Sequence, residues 1–121
     1  MFENQEIYGI HWMGDFFDCQ CDDSQWEKQA VIKVVDDLKK FGFDVLGNVY
    51  HEFSPQGMTC VILLGESHCS IHTWPEHRKI SLDCYTCVWN ETKEQMMNNL
   101  INSFKLRWKP STTKEHWMPR M

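Results

Sequence analysis

Between Gly57 and Val88 the chain offers three strand-length segments in succession, 58 to 65, 67 to 74 and 79 to 88, with only a few residues between them. A parallel pairing needs a crossover of about a dozen residues or more, so these three neighbours must pair antiparallel. The first holds Thr59-Cys60-Val61-Ile62-Leu63-Leu64, an apolar run bounded by Gly57 and Gly65 that reads as a buried strand. The second alternates: Ser67, Cys69, Ile71 and Thr73 point one way, and His68, Ser70, His72 and Trp74 the other. The third, after the turn Pro75-Glu76-His77-Arg78, places Ile80, Leu82, Cys84, Thr86 and Val88 on one face and Ser81, Asp83, Tyr85 and Cys87 on the other.

The flanks supply the second layer. Residues 6 to about 18 read as a strand, with Ile7, Tyr8, Ile10, Trp12, Met13, Phe16 and Phe17 giving bulk. After a polar connection, Ser24-x-x-Glu27 forms a capping box and Val31, Val34, Val35, Leu38 and Phe41 recur at helical spacing up to Gly42, which predicts a helix over 24–41. A strand over 43–53 follows, interrupted at Gly47-Asn48 by a bulge or bend, and Ser54-Pro55-Gln56-Gly57 has turn chemistry. Thr92-x-x-Gln95 opens a second helix whose inner stripe is Met96, Met97, Leu100 and Phe104. Strand, helix, several strands, helix predicts an α+β two-layer sandwich, an antiparallel sheet with two helices on one face. The other face needs cover, and a second copy of the chain stacked on it is the simple remedy. Residues 107–121 are basic, carry Trp108 and Trp117, and are interrupted by Pro110 and Pro119. They read as an arm packed across the domain surface, with partner docking as the sharper alternative.

At 121 residues the chain is one domain, 1–121. Its net charge of −5 gives no general attraction for nucleic acid, and it has no apolar run long enough to cross a membrane. The first six residues show neither a basic patch nor an apolar signal core, so a cytoplasmic location is expected. In that compartment the six cysteines are expected to be free thiols.

The second and third strands hold more chemistry than packing requires. Hydroxyls, imidazoles, carboxylates and two thiols crowd into Glu66-Ser67-His68-Cys69-Ser70-Ile71-His72-Thr73-Trp74-Pro75-Glu76 and the nearby Cys87. Zinc binding through Cys84-x-x-Cys87, Cys19-x-Cys21 and His68-x-x-x-His72 competes poorly, because Cys84 and Cys87 fall on opposite strand faces without a knuckle glycine. A serine can attack the carbonyl that precedes it through a five-membered ring, which turns an amide into an ester.

This stretch resembles the processing site of the short, prokaryotic-type S-adenosylmethionine decarboxylase proenzymes. The resemblance extends upstream to His51-Glu52-Phe53-Ser54-Pro55-Gln56-Gly57, downstream to Asp83-Cys84-Tyr85-Thr86-Cys87, and more loosely to His11 through Cys19. It covers roughly residues 7 to 88. It implies self-cleavage between Glu66 and Ser67 into fragments 1–66 and 67–121, with Ser67 becoming a pyruvoyl group that serves as the electron sink. It further implies that His72 takes the serine's α-proton, that Thr59 assists where the family usually has Ser, and that Cys87 reprotonates the substrate carbon. Phe53 would stack on adenine, Glu76 would bind the ribose hydroxyls, and Glu66 would lie beside the substrate. The implied assembly is a homodimer with shared sites, Ser67 and Cys87 from one chain and Phe53, Thr59, His72 and Glu76 from the other. A pyruvoyl decarboxylase of arginine or ornithine, and a non-catalytic regulatory homologue, are the alternatives.

Overall fold

The structure, a computed structural model, is described over residues 6–121. Its strands are β1 (Gly9–Cys19), β2 (Val45–Glu52), β3 (Met58–Leu64), β4 (Ser67–Trp74), β5 (Lys79–Cys87) and β6 (Pro110–Arg120). They form one six-stranded sheet in the order β2-β3-β4-β5-β1-β6, and every neighbouring pair is antiparallel. The helices α1 (Lys28–Ile32), α2 (Val34–Lys40) and α3 (Glu91–Trp108) pack on one face. The α+β two-layer sandwich expected from the sequence is the observed architecture.

One apolar cluster joins the layers. The inward sheet residues Trp12, Phe16, Cys60, Ile62, Ile71, Ile80 and Leu82 meet Val31, Val34 and Leu38 of the first helical stretch and Leu100, Phe104 and Trp108 of α3. Trp12 stacks on Phe104 with ring centroids 6.0 Å apart. A Cβ placed on Gly14 would lie 2.5 Å from the Trp12 ring, so only glycine allows that ring its place. No helix among the described residues is long and apolar enough to cross a membrane.

Several boundaries differ from the sequence reading. The helix expected over 24–41 starts at Lys28, after a 3-10 turn over Asp23–Trp26, and is interrupted at Lys33. Ser24 and Glu27 make no side-chain cap. The chain is instead anchored there by Arg78, which donates to the carbonyls of Cys19 and Cys21 and to the carboxylate of Asp23. The interruption falls within a β-branched run, Val31, Ile32, Val34 and Val35, whose side chains lose rotamer freedom against the preceding turn. Helix α3 begins earlier than Thr92: Asn90 is its cap, with Oδ1 accepting from the Lys93 amide at 2.8 Å. Its inner face also includes Ile101 and Trp108, while Met96 is only partly buried.

Val88, expected on the inner face, has φ 58° and turns outward, because β5 ends at Cys87. Tyr8, expected in the first strand, lies outside it and is exposed. The interruption predicted at Gly47-Asn48 appears as a register shift between Val45 and Gly47. The largest correction concerns the tail. Residues 107 and 108 still belong to α3, Lys109 turns through φ 47°, and 110–120 form β6 along β1. Both prolines fit there, since an edge strand leaves outward-facing N–H positions unpaired.

Candidate functional site

Strand β4 carries the candidate residues, and the two-residue break before it sets where they start. Gly65 is held by its amide to the Asp44 carbonyl at 2.9 Å, and exposed Glu66 follows. The Glu66–Ser67 bond therefore lies where the chain leaves the β3–β4 turn and enters β4. Cleavage at this bond would leave β3 and β4 paired through the ladder from Met58↔Thr73 to Leu63↔His68. Ser67 is almost buried and lies on the helix-facing side opposite Thr86. A cavity of about 360 Å³ beside it is lined by Phe43, Asp44, Glu66 and Lys93.

Alternation sends Cys87 to the open face, beside Tyr85. Burial first, and then a hydrogen bond with the Cys87 thiol, push the Tyr85 phenol above its ordinary range. The Tyr85 ring stacks on His68 with centroids 5.8 Å apart. Gly9, opposite Cys87, permits this: a Cβ there would lie 2.4 Å from the Tyr85 hydroxyl oxygen. Glu66, Ser67 and Cys87 thus belong to one end of β4 and β5.

The remaining candidates lie at the other end. Thr59 and His72 are register partners on β3 and β4, with Oγ1 and Nδ1 hydrogen-bonded at 3.1 Å. If Nδ1–H donates to the Thr59 oxygen, Nε2 is left with a free lone pair and can take a proton. Trp74, two residues along the same face, tilts against His72 at 6.3 Å. A groove of about 380 Å³ runs past Thr59, His72 and Trp74 to Phe53 and Glu76. Phe53 is 52% exposed and is anchored by its amide to the Gly57 carbonyl at 2.8 Å. Lys79 lies 4.5 Å over the Trp74 ring.

Within one chain, then, the candidates form two groups rather than one. Ser67 and His72 are five residues apart on one strand, about 16 Å at strand rise, and their side chains take opposite faces. The zinc pattern is dispersed as well: Cys84 is buried in the core, Cys87 is on the open face, and Cys19 and Cys21 are buried beside Arg78. Among the described residues, no group of three His, Cys, Asp or Glu side chains is arranged to hold a metal.

The open face also carries Tyr85, Trp74 and a polar network that the sequence reading did not single out. His11 Nε2 is 3.0 Å from the Asp83 carboxylate, and Ser81 donates to Asp15 at 2.6 Å. The signal was available, since each of these residues alternates onto the face that carries His72 or Cys87. Around them Val49, Val61, Leu63 and Trp74 expose 69%, 39%, 56% and 38% of their surface, a large apolar area for a sheet face.

A profile of the S-adenosylmethionine decarboxylase family matches residues 10–116. The S-adenosylmethionine decarboxylase proenzyme of Persephonella marina is 34% identical over 101 residues, 84% of this chain and 76% of that protein. The proenzyme of Archaeoglobus fulgidus is 35% identical over 80 residues, 65% of this chain and 71% of that one. Among solved structures, the adenosylmethionine decarboxylase of Aquifex aeolicus superposes with a TM-score of 0.79 at 25% identity, covering 96% of this chain and 92% of its own.

Proposed function

The chain belongs to the S-adenosylmethionine decarboxylase family, and from that premise we propose that it is a proenzyme that cleaves itself at Glu66–Ser67 and decarboxylates S-adenosylmethionine. The product is the aminopropyl donor for spermidine synthesis, and the setting is cytoplasmic. The relatives it matches are named for S-adenosylmethionine, which disfavours arginine, ornithine or a purely regulatory role.

The Ser67 hydroxyl attacks the Glu66 carbonyl and converts the amide to an ester. His72, held by Thr59, takes the α-proton of residue 67; the ester then opens by elimination to a free Glu66 carboxylate and dehydroalanine, which tautomerises to an imine. Addition of one water to that imine with loss of ammonia leaves a pyruvoyl group at the new terminus. The residues around Ser67 suit that group: the bond to be cut leaves an exposed turn, and the serine itself is almost buried at the edge of the cavity lined by Phe43, Asp44 and Lys93. The pyruvoyl carbonyl supplies the electron sink for loss of carbon dioxide. Cys87, on the open face beside Tyr85, holds the proton that returns to the substrate carbon. Phe53 offers its exposed ring to adenine, and Glu76 accepts from the two ribose hydroxyls. Glu66, as the new C-terminus of the first fragment, borders the substrate.

The two groups of residues act together only if two chains combine. The observation that carries this reading is the separation of Ser67 from His72, five positions or about 16 Å along β4, which places them at opposite ends of the sheet strands. In a two-fold dimer stacked through the open faces, the Ser67 and Cys87 end of one chain meets the Phe53, Thr59, His72 and Glu76 end of its partner. The exposed apolar residues of the open face are covered in the same step. Sedimentation of the purified protein tests the assembly: a dimer is expected, and a monomer that turns over S-adenosylmethionine contradicts it.

A further inference from the structure

Thr86 stands directly across the β4–β5 ladder from Ser67, and both side chains enter the helix-facing side. It is fully buried, yet its Oγ1 has no hydrogen-bond partner. Valine would fill the same space without burying an orphan hydroxyl, so packing alone does not account for threonine here. Directly opposed residues hold their Cβ atoms about 4.5–5.5 Å apart, which leaves the two hydroxyls one side-chain rotation from a hydrogen bond. His72, Thr59 and Cys87 lie on the other face and do not share this side with the Ser67 oxygen.

We propose that Thr86 is a catalytic residue for the first step of self-cleavage, its hydroxyl accepting the Ser67 hydrogen and aiming Oγ at the Glu66 carbonyl carbon. This rests on the self-cleavage reading and adds a residue to it. As the Oγ–C bond forms, the Ser67 proton passes to the Thr86 oxygen while Thr86 gives its own proton to the Ser67 nitrogen, and the C–N bond breaks. One amide becomes one ester and one amine. Thr86 ends as it began, and no co-reactant is consumed. His72, supplied by the other chain of the dimer, acts later, on the α-proton.

The experiment follows conversion of freshly made proenzyme into fragments by intact mass, for the wild type, Thr86→Val and Thr86→Ser. Thr86→Ala serves as a second apolar variant should valine upset the packing, and thermal melts check that each variant folds. Valine is expected to slow cleavage at least about tenfold, with serine restoring most of the rate. Hydroxylamine, which cuts esters and spares amides, is expected not to return the valine variant to the wild-type rate. A folded valine variant that cleaves at the wild-type rate overturns the role of Thr86. So does a serine variant as slow as valine, or full rescue by hydroxylamine, which would put the block after the ester. A wild-type chain that stays whole overturns the self-cleavage reading itself, a different result from any of these.

Discussion

Mixing two inactive variants turns the separation along β4 into a number. Ser67→Ala removes the proposed nucleophile, and His72→Ala removes the proposed base. On one strand these positions lie about 16 Å apart and on opposite faces, too far for a direct proton transfer, which needs about 3 Å. If each site takes Ser67 from one chain and His72 from the other, a mixed dimer has one site with both lesions and one with neither. Random pairing puts half of the chains into mixed dimers, so up to about a quarter of the wild-type number of sites is restored. The two proteins are unfolded together, refolded, allowed to cleave, and assayed for release of carbon dioxide from S-adenosylmethionine. Mixed dimers are quantified separately with a tag on one variant. Activity near that fraction is expected. Absence of recovery in samples rich in mixed dimers would refute the shared site and require each chain to complete its own.

Other consequences follow from single contacts. Thr59→Val leaves His72 Nδ1 without its partner and is expected to slow processing by about tenfold or more, while Thr59→Ser processes at close to the wild-type rate; gel time courses decide, and equal rates for valine and serine contradict the pairing. Gly14→Ala forces the buried Trp12 ring aside and is expected to cost about 1–3 kcal/mol, read as a lower melting temperature; an unchanged melt contradicts the close approach. Burial, followed by the neighbouring Cys21, raises the Cys19 thiol to about 11. Its proton is therefore held more tightly in the folded chain. The stability this gives is complete below about 9, the ordinary thiol range, and declines as pH rises towards 11. Cys19→Ala is expected to flatten that alkaline decline in denaturant titrations, and an unchanged slope counts against it.

The strands of the motif were legible because their code is local. From 67 to 74 buried and accessible positions alternate without a fault, matching the period of two in the sequence, so the faces of His72 and Ser67 could be read directly. The helix start was not legible in the same way. Ser24 and Glu27 satisfy a local capping rule, but Arg78, distant in sequence, holds the Cys19–Asp23 segment in place. The tail failed for a related reason: Pro110 and Pro119 argue against a strand unless the strand lies at an edge, and edge position is a property of the whole sheet. The site residues were found as types in a pattern. Their faces followed from alternation, but which of them share an end of the sheet emerged only with the register. Thr86 went unmarked because an orphan hydroxyl is visible only once its neighbours are in place.

Intact-mass spectrometry of the purified protein tests the central claim most directly. Self-cleavage predicts two species, residues 1–66 ending in a free carboxylate and residues 67–121 lighter by one ammonia than a serine-ended fragment. Ser67→Ala should give only the whole chain. A wild-type chain that remains a single uncleaved species after prolonged incubation, or a second fragment that keeps its serine, would contradict the account.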